Sequence, residues 1–470
     1  MKKVHKIVCS CASVVLIAAI SVGDVLFSKF KTDIIGQLCP PKVDTDAAQV
    51  AASEGKELAE KIEGEGIVMV KNDGLLPMKK EAVDNIALLG YGNVQWIYGG
   101  SGSGRVLSQA GDSKWDEMTD LAKALKNYGI GINDELLTFY KKYASSVHDI
   151  NSLNFNVDST PYNFGLKDPD INDSNYRELL EASKEISNTA IVTISRQGGE
   201  SEDMPKVQYK SKPSQKVDEK RHSLQLSEEE ENLLEYAIDS FEHVIVVINS
   251  TNSFQLDFLD RPEMKKISAC LLVGATGEDG ANAIPKVLYG EINPSGKLAD
   301  TLPFDFRSFI NYNNAGYDGV SFYSDTDLPY GVNQSTNAGV SKRPSLPYID
   351  YSEGIYVGYR YYETADSEGA FEGLTREGLD QDGNTITKKG YDAVVQYPFG
   401  YGLSYTTFDW EILDVSLPSG NQLSKDSEIE ISVKVTNTGD VAGKDVVELY
   451  MTPQYNKGGV EKSSVSLVGF

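Results

Sequence analysis

Cysteine is scarce. The 470 residues hold four, of which Cys9 and Cys11 sit in a leading apolar run while Cys39 and Cys270 lie far apart in dissimilar surroundings. They provide no disulfide framework, CxxC pair or zinc-ligand spacing, and no metal site is expected. Positive charge is also in short supply. Lys and Arg total 44 against 69 Asp and Glu, a formal net charge of −25, so the average surface repels phosphate-rich partners and nucleic acid is not expected as a ligand. Hydrophobic residues stop at 40%, too few for a polytopic membrane protein, and with 26 Tyr and 16 Phe the balance is globular. At roughly 150 residues per domain this length accommodates about three domains.

One long apolar run does occur. Lys2, Lys3, His5 and Lys6 precede the uncharged stretch Ile7–Gly23, and Val25-Leu26-Phe27 follows Asp24. The run approaches the ~20 residues that span a bilayer, and the leading basic cluster keeps the terminus in the cytoplasm. Residues 1–30 are therefore expected to be a signal-anchor at the cell membrane, with the remainder on the extracytoplasmic face. Cleavage after Ser21 or Gly23 would instead give a secreted protein.

Beyond this segment, apolar strand signals and helical periods alternate. A helix over 47–66 leads into Ile67–Val70, and Ile86–Leu89 ends at Gly90. A helix is expected over 113–128, then the strand Thr189–Ser195. Ser227-Glu-Glu-Glu230 reads as a capping box before a helix from Asn232 to Phe241, and His243–Ile248 and Cys270–Val273 are further short strands. This periodicity defines an α/β fold class, a mostly parallel-sheet sandwich over about 47–305. Residues 306–409 read as a linker and inter-domain segment. From 410 to 470 strict alternation, with Ile429, Ile431, Val433 and Val435 on one face, points to a fibronectin III-like β-sandwich. It is expected to be incomplete, since about seven strands close such a sandwich.

Two loops are candidates for chemistry. Gly99-Gly-Ser-Gly-Ser103-Gly-Arg105 lacks the GK[ST] ending of a phosphate-cradling loop and by itself reads as a turn. Arg196-Gln-Gly-Gly-Glu200-Ser-Glu202-Asp203 follows a strand whose C-terminal end is where parallel sheets gather ligands. Taken alone it reads as a solvated acidic loop, since charge clusters are usually just solvated.

Asp73-Gly-Leu-Leu-Pro77, the glycine loop, the Arg196–Asp203 stretch, Glu278-Asp-Gly-Ala-Asn-Ala283 and Asn293-Pro-Ser-Gly-Lys297 together resemble the α/β sandwich domain of glycoside hydrolase family 3. Glu353–Tyr361, Tyr397–Phe408 and Val435–Gly439 are similar to that family's approach to its fibronectin III-like domain. The resemblance, from about 60 to 470, implies a retaining β-glycosidase, β-glucosidase-like, in which two carboxylates share one site. Glu200 matches the acid/base Glu of the family's G-E-G-x-D-R stretch and Asp203 its Asp, while Ser201 and Met204 depart from the pattern. Glu202 and Asp203, like charges close by, would raise the carboxyl pKa as a general acid requires. The resemblance further assigns Ser103, Asp203 and Arg196 to substrate binding and calls for no organic cofactor. It places the nucleophile in a TIM barrel for which no eight-fold pattern exists here, so the chain reads as a fragment of reversed domain order whose barrel lies downstream, inactive by itself. The implied partner is an oligosaccharide or β-glucoside. A non-catalytic, membrane-anchored glycan-binding or adhesion protein is the alternative.

Overall fold

The computed structural model describes residues 45–100, 104, 106, 118–144, 165–200, 204–210, 218–312, 321–322, 347–348, 351, 353–380, 383–416, 424 and 427–470. The expected anchor lies outside these residues, as do Ser103, Glu202 and Asp203. Among the described residues no helix is long and apolar enough to cross a membrane. The chain divides into two compact units, Met1–Glu57 and Leu58–Phe470. The first is described only over its final residues, all helical.

Six strands form the central sheet: β1 (Val68–Asn72), β2 (Asn85–Leu89), β3 (Gly131–Ile132), β4 (Thr189–Arg196), β5 (His243–Ser250) and β6 (Ile267–Leu272). Their order is β1-β6-β5-β4-β2-β3, parallel throughout except for β1 against β6. β4 and β5 are runs of Val, Ile and Ala buried along nearly their whole length, as strands covered on both faces must be. The fold class is therefore a mostly parallel α/β layer.

The flanking helices are α1 (Thr45–Gly66), α2 (Leu121–Tyr128), α3 (Asp134–Ala144), α4 (Ser174–Lys184), α5 (Glu228–Ser240) and α6 (Ala283–Leu288). The helix expected from 113 is described from Leu121, where the Asp120 side chain accepts from Lys123 N, and left-handed Gly129 ends it. The Ser227 capping box is present: Ser227 Oγ accepts from Glu230 N (3.1 Å), and the Glu230 carboxylate accepts from Ser227 N (2.8 Å). One glycine is set by close approach. At Gly90 the chain leaves β2 with φ 94, and a Cβ would come within 2.6 Å of Thr193 O on β4.

After the sheet come β7 (Leu302–Pro303), α7 (Tyr359–Ser367), the hairpin β8 (Thr375–Leu379) and β9 (Thr385–Lys389), and β10 (Val395–Tyr397), which pairs with β7. The two sequence stretches most characteristic of the resemblance meet here. Leu298 N donates to Tyr401 O and Gly400 N to Leu298 O, both at 2.8 Å, and Leu403 N donates to Met69 O of β1. Asn293 Oδ1 accepts from Ser404 Oγ and Tyr405 N while its Nδ2 donates to Ala442 O, and Lys297 Nζ reaches Gly402 O and Asp445. Asn293–Lys297 is thus the joint between the α/β layer and the antiparallel pairs that follow, β11 (Phe408–Ser416) with β12 (Glu430–Asn437) and β13 (Leu449–Met451) with β14 (Ser466–Gly469). Of the four residues expected on one face, Ile431 and Val433 are half-buried between exposed neighbours, whereas Ile429 and Val435 are exposed. The Asn437 side chain closes the following turn by accepting from Gly439 N and donating to Val441 O.

Candidate active site

The chain runs outward from β2 to β3 and then returns to the other side of β2 as β4, so the crevice between the C-terminal ends of β2 and β4 is a topological switch point, where ligands of open α/β sheets bind. Three loops converge on this edge. Gln197 Nε2, just past β4, donates to Gly99 O (3.1 Å), joining the glycine-rich loop to the Glu200 loop. Gly198 N donates to Thr251 Oγ1 (2.8 Å) beyond β5. Asn249, fully buried in β5, accepts from Ile97 N (2.6 Å) and donates to Ile97 O and Gly274 O (3.0 and 2.7 Å), fastening the loops after β2 and β6 to one strand. A second brace comes from the Tyr140 hydroxyl on α3, which accepts from Gly90 N (2.9 Å) and shares a hydrogen bond with Tyr176 of α4.

Glu200 is exposed, in a turn just beyond β4. An exposed carboxyl beyond the C-terminal end of a switch-point strand can exchange protons with a ligand bound at that edge. Arg196 stands otherwise. It is 3% exposed, and its five N–H donors are all spent within the chain. Nε donates to Ser223 O (2.6 Å), Nη1 to Ser195 O (2.9 Å) and Glu230 Oε1 (2.7 Å), and Nη2 to Gln225 O (3.0 Å) and Glu230 Oε2 (2.6 Å). No donor remains for a sugar hydroxyl. The expectation that Arg196 contacts substrate is corrected: it clamps the two ends of the 197–226 excursion that carries Glu200.

Glu230, the other half of the clamp, also closes the capping box, so one buried carboxylate orders both the start of α5 and the base of the loop. The capping box was legible in sequence, but the ion pair to Arg196 was not. Beside the pair lies Asp168, which accepts from Tyr91 N (3.1 Å). Burial and the charge of Glu230 raise its pKa to about 7, with Arg196 and the Tyr91 hydrogen bond opposing. Gln197, Asn249 and Thr251 were also missed. The one available signal was a polar Asn-Ser-Thr ending on an otherwise apolar strand. Among the described residues no group of His, Cys, Asp and Glu is arranged to hold a metal.

A sheet of this order, with its loops drawn to one edge and antiparallel layers jointed behind it, defines the sandwich class of α/β domain carrying a β-sheet appendage. Comparison with known proteins makes the assignment specific. The profile of the glycosyl hydrolase family 3 C-terminal domain matches residues 67–359. The chain is 28% identical over 416 residues to β-glucosidase A of Butyrivibrio fibrisolvens, covering 84% of this chain and 41% of that protein. To a β-glucosidase of Ruminococcus albus it is 27% identical over 432 residues, 89% of this chain and 34% of that one. Among solved structures, a β-glucosidase from Paenibacillus barengoltzii superposes with a TM-score of 0.59 at 26% identity, over 88% of this chain and 36% of that one. The chain belongs to glycosyl hydrolase family 3 through its C-terminal domain, and it spans about two fifths or less of the length of these relatives.

Proposed function

We propose that this chain contributes the acid/base half of the active site of an extracytoplasmic retaining β-glycosidase, β-glucosidase-like in substrate, with Glu200 as the general acid and then base. The observation that carries the reading is the Glu200 loop at the switch-point crevice, tied by Gln197 to the glycine-rich loop and clamped at its base by Arg196 and Glu230. Protonating the leaving-group oxygen and later deprotonating water need a carboxyl that reaches a ligand, and Glu200 is exposed at that edge. Ser103 and Asp203 remain assigned to sugar contacts on the family resemblance. The nucleophile is assigned to a barrel domain outside these residues, a reading supported by the fraction of the relatives' length that the chain covers. The basic cluster and apolar run over residues 2–27 support export and membrane attachment. Recovery of the protein in the soluble fraction with a mature N-terminus at Val22 or Asp24 would replace the anchor by a cleaved signal.

Substrates with different leaving groups test the role of Glu200. In the complete enzyme, Glu200→Gln should slow hydrolysis of glycosides with poor leaving groups by about 10²–10⁴-fold and spare activated aryl glycosides, since only the former need proton donation. Equal losses on both, or none, would remove Glu200 from this role.

A further inference from the structure

A concavity opens at the C-terminal edge of the sheet, on the far side of β5 from β4. It has a volume of about 220 Å³ and lies between the ends of β5 and β6, the start of β1 and the segment 297–302. Its floor is apolar, formed by Val68, Ile248 and Leu298. Its rim is polar and comes from two segments, Asn252 and Ser253 beyond β5 and Asp300 opposite. Ser253 Oγ donates to Asp300 Oδ2 (2.8 Å), bridging the rim. The other Asp300 oxygen and the Asn252 amide nitrogen have no partner among the described residues. Lys297, also in the lining, is committed to Gly402 O and Asp445.

This inventory restricts the ligand. A lone carboxylate is too few ligands for a divalent cation, and it repels anions. A carboxylate that accepts and an amide that donates, set above an apolar floor, match a neutral ring carrying vicinal hydroxyls on one side and C–H groups on the other. The volume, below the ~300–1,000 Å³ of pockets for drug-sized ligands, has room for one such ring. The cleft also shares a wall with the catalytic loop, because a side chain on Gly198, two residues before Glu200, would run into Asn252 Oδ1.

We propose that this cleft is a subsite for a single pyranose ring, held by hydrogen bonds from its hydroxyls to Asp300 and from Asn252 Nδ2 to a ring hydroxyl. The choice of sugar rests on the glycosidase reading above, but the site does not depend on the role of Glu200. The test is direct binding of D-glucose to the 470-residue chain, followed by saturation-transfer NMR and calorimetry, with glycerol as the control polyol. Saturable glucose binding, weakened roughly tenfold or more by Asp300→Ala and by Asn252→Ala in chains with unchanged circular dichroism, is the expected result. Asp300→Asn, which keeps size and an acceptor for Ser253, should weaken binding less than Asp300→Ala. Absence of saturable binding, equal binding of glycerol, or affinities within about twofold of wild type in both alanine variants would overturn the proposal. The measurement needs no turnover. A chain in which Glu200→Gln leaves hydrolysis untouched therefore rejects the acid/base reading and leaves the cleft standing.

Discussion

At the scale of single residues, the side chains with the firmest placement are those that hold the site. Arg196 and Glu230 form a bidentate pair whose side chains are 3% and 4% exposed. Removing one partner strands the other charge in a dry interior. Glu230→Gln is expected to lower unfolding stability in urea by about 3–5 kcal/mol, whereas replacing both partners with Met and Leu should cost much less. Glu63 on α1 gives a different test. Burial pushes its pKa up to about 8, and its Oε1 has no hydrogen-bond partner among the described residues. In the unfolded chain this carboxyl titrates near ~4.3, so the folded state binds the proton more tightly. The stability tied to Glu63 is complete below about pH 4.3 and is lost as pH rises toward about 8. The difference in melting temperature between wild type and Glu63→Gln, measured across this range, should widen in favour of the variant as pH rises. A constant difference would show that the carboxyl is not buried uncharged.

At the scale of elements, the joint at Asn293 concentrates the contacts between layers. The Asn293 side chain makes three hydrogen bonds, two of them to Ser404 and Tyr405 and one to Ala442. Asn293→Ala should cost about 2–3 kcal/mol at ~1 kcal/mol per lost bond. Amide exchange is the measurement: protection should fall at Tyr405, which donates to Asn293, while β4 and β5 keep theirs. The Asn-Pro-Ser-Gly-Lys stretch was legible as a family mark, but its work as a joint was not, because its partners lie 105 to 149 residues on. The strands were more transparent. β4 and β5 are apolar because both faces are covered, and a short apolar run bounded by helical periods shows that from composition alone.

At the scale of the whole molecule, the acid/base role proposed above sets an expectation for the chain alone. General acid assistance is typically worth ~10²–10⁴-fold, far short of what glycoside hydrolysis requires. The 470-residue chain is therefore expected not to turn over an aryl β-glucoside by itself, and co-expression with a nucleophile-bearing barrel domain should restore activity. Robust turnover by the chain alone would place a nucleophile within these residues.

By itself the sequence determined the alternation of strand and helix, the capping box at Ser227, the change to alternating strands from about 410 and the candidacy of Glu200. Each of these is written in neighbouring residues, through apolar period, cap chemistry or a contiguous motif. The tertiary structure alone decided what Arg196 does, since its carboxylate partner lies 34 residues away and only the docking of α5 beside β4 brings the two together. It likewise decided that Gln197 meets Gly99, 98 residues earlier, and that Asn249 pins two loops at once. Such contacts are set by strand order and register, which local propensity does not encode, and a buried guanidinium reads in sequence the same as one that faces a ligand.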